Sequence, residues 1–328
     1  MFSRTVRLLG ATAVVSGTFT AVAVAAGPPP PTSTNGKAVQ LVASGLGTPT
    51  SFAFGAGQVF EGDAGAQSQK GQSGPGGVFV LSKGTATKLP GSPPVVFGLA
   101  WRQGTLYISA GSKLIAWSGW TGRDFKHKRT IYTAPKNFPA FNGLGFGADG
   151  RLYTGVDVGE TNDHGPAKAP YQYDILSFTA AGKGPKVVAT GIRQPWQFVF
   201  PAGSSSPFVS DLGQDKGAHN PPDFLLRVRS GQNYGFPACN WTNPKGCKRY
   251  AKPFKLFAPH TSVMGLGIIG SRLYMSEFGP QQVVSMPLSG GRVKTLVKGF
   301  VAPIVGLGTH AGWVYVGELT GQVFRVHA

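Results

Sequence analysis

NGLGFGADGRLYT, residues 142–154, decides the fold. A glycine-rich apolar run, Asn142-Gly-Leu-Gly-Phe146, meets a tight glycine turn and then a second apolar run, Gly150-Arg-Leu-Tyr-Thr154. Glycine supplies the backbone angles of the turn, and the alternating apolar side chains fill a strand face, so the phrase reads as a β-hairpin. It recurs as Phe97-Gly-Leu-Ala-Trp101 with Gly104-Thr-Leu-Tyr-Ile108, as Met264-Gly-Leu-Gly-Ile268 with Gly270-Ser-Arg-Leu-Tyr-Met275, and as Val305-Gly-Leu-Gly-Thr309 with Gly312-Trp-Val-Tyr-Val316. Two degraded copies are Ser51-Phe-Ala-Phe54 with Gly57-Gln-Val-Phe60, and Pro195-Trp-Gln-Phe-Val-Phe200 with Pro207-Phe-Val-Ser210. A unit repeated six times is the signature of a solenoid or propeller.

Most copies are followed by further strand-like runs, such as Lys113-Leu-Ile-Ala-Trp117 and then Arg129-Thr-Ile-Tyr132. Four strands per unit and six units predict an all-β, six-bladed β-propeller. The last unit stops after its third strand, Gln322-Val-Phe-Arg-Val326, and Val39-Gln-Leu-Val42 is expected to supply the fourth, closing the ring. The Gly143-x-Gly145-x-Gly147 run lies inside this strand repeat rather than between a strand and a helix, so it is no dinucleotide fingerprint. The propeller is expected over residues 38–328. Residues 27–37 (GPPPPTSTNGK) read as a stiff polar linker, and residues 1–26 as a secretory signal peptide. The signal reading rests on Arg4 and Arg7, a weakly apolar stretch over 8–26, and small-x-small sites at Ala21-Val-Ala23 and Ala23-Val-Ala25. A secreted or envelope-associated monomer follows as the expectation, with no stable membrane insertion after cleavage.

Cys239 and Cys247 are the only cysteines, eight residues apart in an exported chain, and are expected to form a disulfide. Lys and Arg outnumber Asp and Glu by 31 to 13. The basic residues look scattered along the chain, without a nucleic-acid module, so no nucleic-acid partner is expected; an anionic envelope polymer is the partner that long-range attraction allows.

Three stretches come in order: Gly147-Ala-Asp-Gly-Arg-Leu-Tyr153, Thr190-Gly-Ile-Arg-Gln-Pro195 and Ser230-Gly-Gln-Asn-Tyr-Gly-Phe-Pro237. With Pro259-His-Thr-Ser262, they resemble the soluble quinoprotein glucose/sorbosone dehydrogenase family. The resemblance implies a small-molecule sugar as substrate, with pyrroloquinoline quinone (PQQ) and calcium at the channel mouth. A histidine base would take the hydroxyl proton while hydride passes to the quinone. On this chain it puts the charge-supporting arginine at Arg193, with Gln194 in place of asparagine, and the cofactor-loop carbonyls at Gly213 and Gln214. Asp223 matches an acid of the metal loop, and Asn233 and Tyr234 match the turn. The base position falls near Pro139; a lysine position falls at Gly279; and the arginines of the last cofactor loop fall at residues 301–305, which hold none. His260 and His164 are the histidines that could stand in for the base.

Glu61, Asp63, Asp157, Asp211, Glu277 and Glu318 stand at or just beyond the ends of second strands, and Glu160, Asp163 and Asp215 lie a little farther on. In a propeller these ends open on one face, so nine of the 13 carboxylates are expected to gather there. Like-charge repulsion among them would be relieved by a cation or by arginine. Calcium is therefore expected at Asp211, Asp215, Asp223, Tyr234 and the Gly213 carbonyl; the alternative is that the acids cap turns and pair with Arg193. Arg193, His260 and Asn142 are the groups expected to line the pocket and do its chemistry. Three functions are open: a PQQ-dependent sugar dehydrogenase, a non-catalytic calcium-stabilised propeller that binds an envelope polymer or partner, and a metal-dependent lactonase-type hydrolase.

Overall fold

The computed structural model of the protein describes residues 29–66, 74, 76–159, 165–214 and 221–328. The expected signal peptide lies outside them. The described residues form six antiparallel sheets, the blades of a propeller. Blade 1 runs Pro49–Gly55, Gln58–Asp63, Gly77–Ser82, Thr85–Lys88; blade 2 runs Gly98–Arg102, Thr105–Ala110, Lys113–Trp120, Phe125–Thr133. Blade 3 runs Phe141–Phe146, Leu152–Val156, Ile175–Phe178, Lys186–Ala189; blade 4 runs Pro195–Val199, Phe208–Asp211, Asp223–Arg227, Lys255–Phe257. Blade 5 runs Val263–Ile269, Arg272–Glu277, Gln282–Pro287, Lys294–Lys298. Blade 6 has Ile304–His310, Trp313–Glu318 and Gln322–His327, and Gln40–Ala43 completes it, with Gln40 opposite Arg325 and Leu41 opposite Phe324. The ring thus closes as expected. One feature differs from the sequence reading: Thr32–Ser33, inside the proline-rich segment, pairs with Lys298 and Val297 as a fifth strand of blade 5. Two residues of ladder cover an edge that would otherwise stand open.

Inner strands of successive blades touch all the way round the axis. The second residue of the repeated phrase is glycine because a side chain there would strike the next blade. A Cβ on Gly98 would lie 2.7 Å from the Gly143 Cα, one on Gly143 2.6 Å from the Trp196 carbonyl, and one on Gly306 2.7 Å from the Pro49 carbonyl. On Gly265 it would meet the Leu307 backbone nitrogen. The repeated tyrosines bridge the same junctions from farther out. Tyr107 of blade 2 packs edge-on to Phe146 of blade 3 at 4.8 Å, Tyr153 of blade 3 meets Phe200 of blade 4 at 5.1 Å, and Tyr315 of blade 6 meets Phe54 of blade 1 at 5.1 Å. An apolar cluster fills each of the six junctions among the described residues.

The axis itself is plugged. Trp196, Met264 and Val305 are buried together, with Phe97, Leu212, Phe278 and Leu319 packed on them. Beneath this plug, the Gln197 side-chain amide of blade 4 donates to the Phe97 carbonyl of blade 2 at 2.9 Å and the Thr50 carbonyl of blade 1 at 3.3 Å. Asn142 is wholly buried in the same layer and donates to the Pro195 carbonyl at 3.0 Å. It ties blade 3 to blade 4 and does not reach a pocket wall, contrary to the sequence expectation.

Glu61 also departs from expectation. It shares a sheet row with Phe52 and Phe79, whose face packs on blade 6, so it points into that junction and not onto the loop face. It is fully buried, and its carboxyl oxygens have no hydrogen-bond partner among the described residues. Burial first, and the Asp63 charge second, hold its pKa well above the ordinary carboxylate value; the nearby Thr50 N–H offsets this only in part. An acid whose folded pKa is raised favours folding below its unfolded pKa and loses that contribution as pH rises through the folded value. Glu61→Gln removes the ionisation while keeping the shape. It is expected to raise the melting temperature at pH 8–9 by about 2–4 °C, the shift that ~1 kcal/mol gives in a domain of similar size, with little effect near pH 4. Calorimetry across that range checks it. In the same assay Gly265→Ala is expected to be destabilising by ~1–3 kcal/mol at every pH, through overpacking.

Candidate functional site

The face bearing the ends of the second strands carries the candidate site. Its loops are held by the carboxylates that the repeat places there. Asp63 accepts the N–H groups of Gly47, Thr48 and Gly65 at 2.9, 2.9 and 2.6 Å. Asp211 accepts the Gln194 N–H at 2.7 Å, and Asp157 accepts the Gly159 N–H at 2.8 Å. Asp223 accepts the Gly213 N–H at 2.7 Å with one oxygen and the Ser262 N–H at 2.8 Å with the other. Asp63 and Asp211 thereby clamp the loops that enter their own blades, Asp223 the loop that enters blade 5, and Asp157 the turn that follows it. Most pay in desolvation: burial pushes the Asp211 carboxyl up to about 7, against the Gln194 amide and the Arg193 charge, and Asp63, Glu277 and Glu318 are also raised, burial being the first cause in each.

Two clefts adjoin on this face. The first, of about 280 Å³, is lined by Arg193, Gln194, Gly213, Gln214, Asp223 and His260, among others. The second, of about 540 Å³, has Phe97, Pro139 and Ala140 as apolar walls and Asp157, Lys168 and Gln172 as polar ones. Gln194 forms the partition. Its amide nitrogen donates to Asp157 at 2.6 Å and its oxygen accepts the Val158 N–H at 2.7 Å. The asparagine that the resemblance expects here is one methylene shorter, so the exchange to glutamine goes with a link from blade 4 to blade 3.

The structure therefore brings together Arg193, Gln194, Gly213, Gln214, Asp223 and His260, with Asp211 buried directly behind. His260 is exposed, in a left-handed conformation (φ 61°), and its loop is fixed by the Asp223–Ser262 bond. Tyr234 is not with them as a ligand. Its hydroxyl donates to the Arg227 carbonyl at 2.9 Å and accepts the Arg229 N–H at 3.2 Å, beneath the cleft. Asp215, Glu160, Asp163 and His164 lie outside the described residues. Asp157, Lys168 and Phe97 were missed as pocket residues; the position of Asp157 just past a second strand was the one available signal.

The donor set does not fit calcium. The Gly213 carbonyl, a candidate ligand, accepts the Arg193 guanidinium at 2.8 Å, and the Leu212 carbonyl accepts the same nitrogen at 3.0 Å. Asp223 gives both oxygens to backbone amides, and Asp211 is buried, with burial pushing its carboxyl up to about 7. The Arg193 guanidinium thus takes up carbonyls that a metal would need, and its charge also acts on Asp211. Among the described residues no group of three or more His, Cys, Asp or Glu could hold a metal ion. PQQ fits no better. Its three carboxylates call for several cations, and of the cofactor-binding candidates Arg193, Gln194, Gly213 and Gln214 only Arg193 is charged. The base position, Pro139, is a cleft wall without a proton acceptor.

Cys239 and Cys247 form the expected disulfide. It sits in the core beside Trp241, and Asn240 donates to Gln214 at 3.0 Å, so the insertion braces the cleft from behind.

No protein-family model matches the chain, and no curated protein matches it in sequence. Solved structures do match. A candidate oxidoreductase (glucose dehydrogenase) of Thermus thermophilus superposes with a TM-score of 0.72 at 18% identity, covering 89% of this chain and 100% of that one. The PQQ-bound aldose sugar dehydrogenase of Streptomyces coelicolor gives 0.69 at 17%, covering 92% and 99%. A candidate gluconolactonase gives 0.60 at 13%, covering 89% and 92%. The likeness is one of fold. It is the six-bladed propeller that the repeats predicted. No described helix is long and apolar enough to cross a membrane.

If Arg193 replaces a metal, Arg193→Met leaves the Leu212 and Gly213 carbonyls short of a donor. Its melting temperature is expected to fall by about 2–4 °C, roughly 1 kcal/mol. Calcium added to the chelator-treated parent protein should leave the melting curve unchanged.

Proposed function

We propose that this chain is a sugar-binding propeller built on the sugar-dehydrogenase architecture, with the larger cleft as the seat of the sugar. The observation that carries the reading is the wall around Asp157. Its carboxylate is fixed by Gln194 and by the Gly159 N–H, and it faces a cleft that also offers the Phe97 ring and the Lys168 ammonium group. A sugar has an apolar C–H face and a ring of hydroxyls. An aromatic wall suits the first; a rigid carboxylate and an ammonium suit the second. The Asp157 oxygens accept sugar hydroxyls, Lys168 donates to ring or hydroxyl oxygens, and Arg193 in the adjoining cleft holds a carboxylate where the sugar is acidic. Preformed hydrogen bonds keep the ordering penalty low.

A second reading, a PQQ-dependent sugar dehydrogenase, is favoured by the fold likeness and by Arg193 standing where the resemblance puts the charge-supporting arginine. The closed metal seat and the apolar base position weigh against it. They weigh equally against a metal-dependent lactonase.

Calorimetric titration with a panel of aldoses and uronic acids tests the proposal. Binding is expected in the millimolar to micromolar range, and Asp157→Ala is expected to weaken it by at least about tenfold, the loss of a charged hydrogen bond. No binding by any sugar, or an unchanged Asp157→Ala variant, would count against the seat. Dye reduction by the protein supplied with PQQ, calcium and an aldose would replace binding with the dehydrogenase reading.

A further inference from the structure

Residues 224–276 contain eight Lys and Arg and no Asp or Glu. Read along the chain these bases look dispersed, but the fold gathers three of them. Arg227 ends the third strand of blade 4, at the end away from the sugar face; Arg229 follows it; and the disulfide-bearing insertion returns across the Asn233 turn, through Ala251 N–H to Asn233 carbonyl at 2.8 Å, to deliver Lys252. Together with Gln232 they line a cleft of about 460 Å³ whose other walls include Tyr234 and Phe254.

No acidic side chain lines this cleft, and no described carboxylate forms a salt bridge with these three bases. Arg227 is held in place. Its guanidinium lies 4.6 Å over the Phe208 ring and donates to Ser204 at 3.2 Å. The Tyr234 hydroxyl pins the backbone at both Arg227 and Arg229. Burial, and then the neighbouring Arg229 charge, lower the Arg227 pKa. The propeller's described carboxylates mostly lie on the other face; only Asp124 and Asp149 sit in turns on this one. A preordered guanidinium, a second guanidinium, an ammonium and an amide around one open cleft match the acceptor-rich geometry of phosphate, which arginine forks engage bidentately.

We propose that this cleft is a phosphate-binding site, with Arg229 and Lys252 as its exposed contacts and Arg227 and Gln232 behind them. The cleft exceeds a single phosphate, and further bases, Lys245, Lys248 and Arg249, precede Lys252 in the same insertion of the sequence. A chain of phosphates therefore fits better than a free ion. This site stands apart from the sugar cleft and does not depend on it.

The test is titration of the full chain with linear polyphosphate, inorganic phosphate and polygalacturonate at fixed ionic strength. Two double variants of equal net charge are compared: Arg229→Glu with Lys252→Glu, and Lys113→Glu with Arg123→Glu two blades away. Both pairs are exposed, and melting curves verify folding. Polyphosphate affinity is expected to drop at least about tenfold in the first variant, because it sets like charges against the phosphates, and less than about twofold in the second, whose charges are screened from the cleft. Tighter binding of polyphosphate than of inorganic phosphate identifies the chain as the ligand; equal binding identifies the free ion. Equal losses in the two variants, polygalacturonate binding as tight as polyphosphate, or no phosphate binding at all would overturn the site.

Discussion

Everything in this molecule depends on how closely six inner strands approach one another around a single axis. The approach is possible because the second residue of the repeated phrase has no side chain in four of the blades. In the other two the position is occupied by Ser51 and by Gln197. The glutamine turns the irregularity to use by spanning the axis to blades 1 and 2. Ser109 and Ser210 add the same kind of tie one strand out, donating to the Asn142 and Met264 carbonyls of the following blades at 2.6 and 2.7 Å. Buried backbone groups must find partners, so strands this close stitch themselves together and leave the axis shut by Trp196, Met264 and Val305.

A shut axis confines chemistry to the loops at either end, and the loops on the face bearing the second-strand ends need anchors. The second strands provide them as carboxylates that accept backbone N–H groups. This arrangement costs desolvation, visible in the raised pKa values, and it settles what the acids are for. Asp211 and Asp223 hold the Arg193 and His260 loops in place, and Arg193 closes on the carbonyls those loops expose. A charge already satisfied by amides and a guanidinium has little to offer a calcium ion. The six-bladed fold thus leaves these carbonyls engaged from within the chain.

Several residues show how far a sequence can be read. Gly-Leu-Gly followed by Leu-Tyr is legible because every blade faces the same packing problem, so the solution repeats. Asp63 and Asp211 were legible as residues of one face, since strand ends fix that much. Glu61 was not: it lies on the same strand face as Asp63 but two residues back from the strand end, where that row packs on blade 6. Asn142 and Tyr234 look like site residues because polar groups in a recognised stretch invite a role, yet each donates to a backbone carbonyl elsewhere, Asn142 to Pro195 and Tyr234 to Arg227. Gln194 differs from the expected asparagine by a methylene, and only its partners, Asp157 and Val158, show why the length matters.

The sequence by itself determined the blade count, the ring closure and the disulfide. Local turn chemistry, strand alternation and the short spacing of Cys239 and Cys247 are written in neighbouring residues. The tertiary structure decided what fills the axis, which carbonyls Arg193 engages, and which bases come together at the blade 4 cleft. Those outcomes join residues far apart in the chain: Gln197 with Thr50 and Gln194 with Asp157 across blades, Lys252 beside Arg227 across the insertion of blade 4. Contacts of that kind are set by the closure of the ring, where side-chain length and direction count by the ångström, and no repeat along the chain records them.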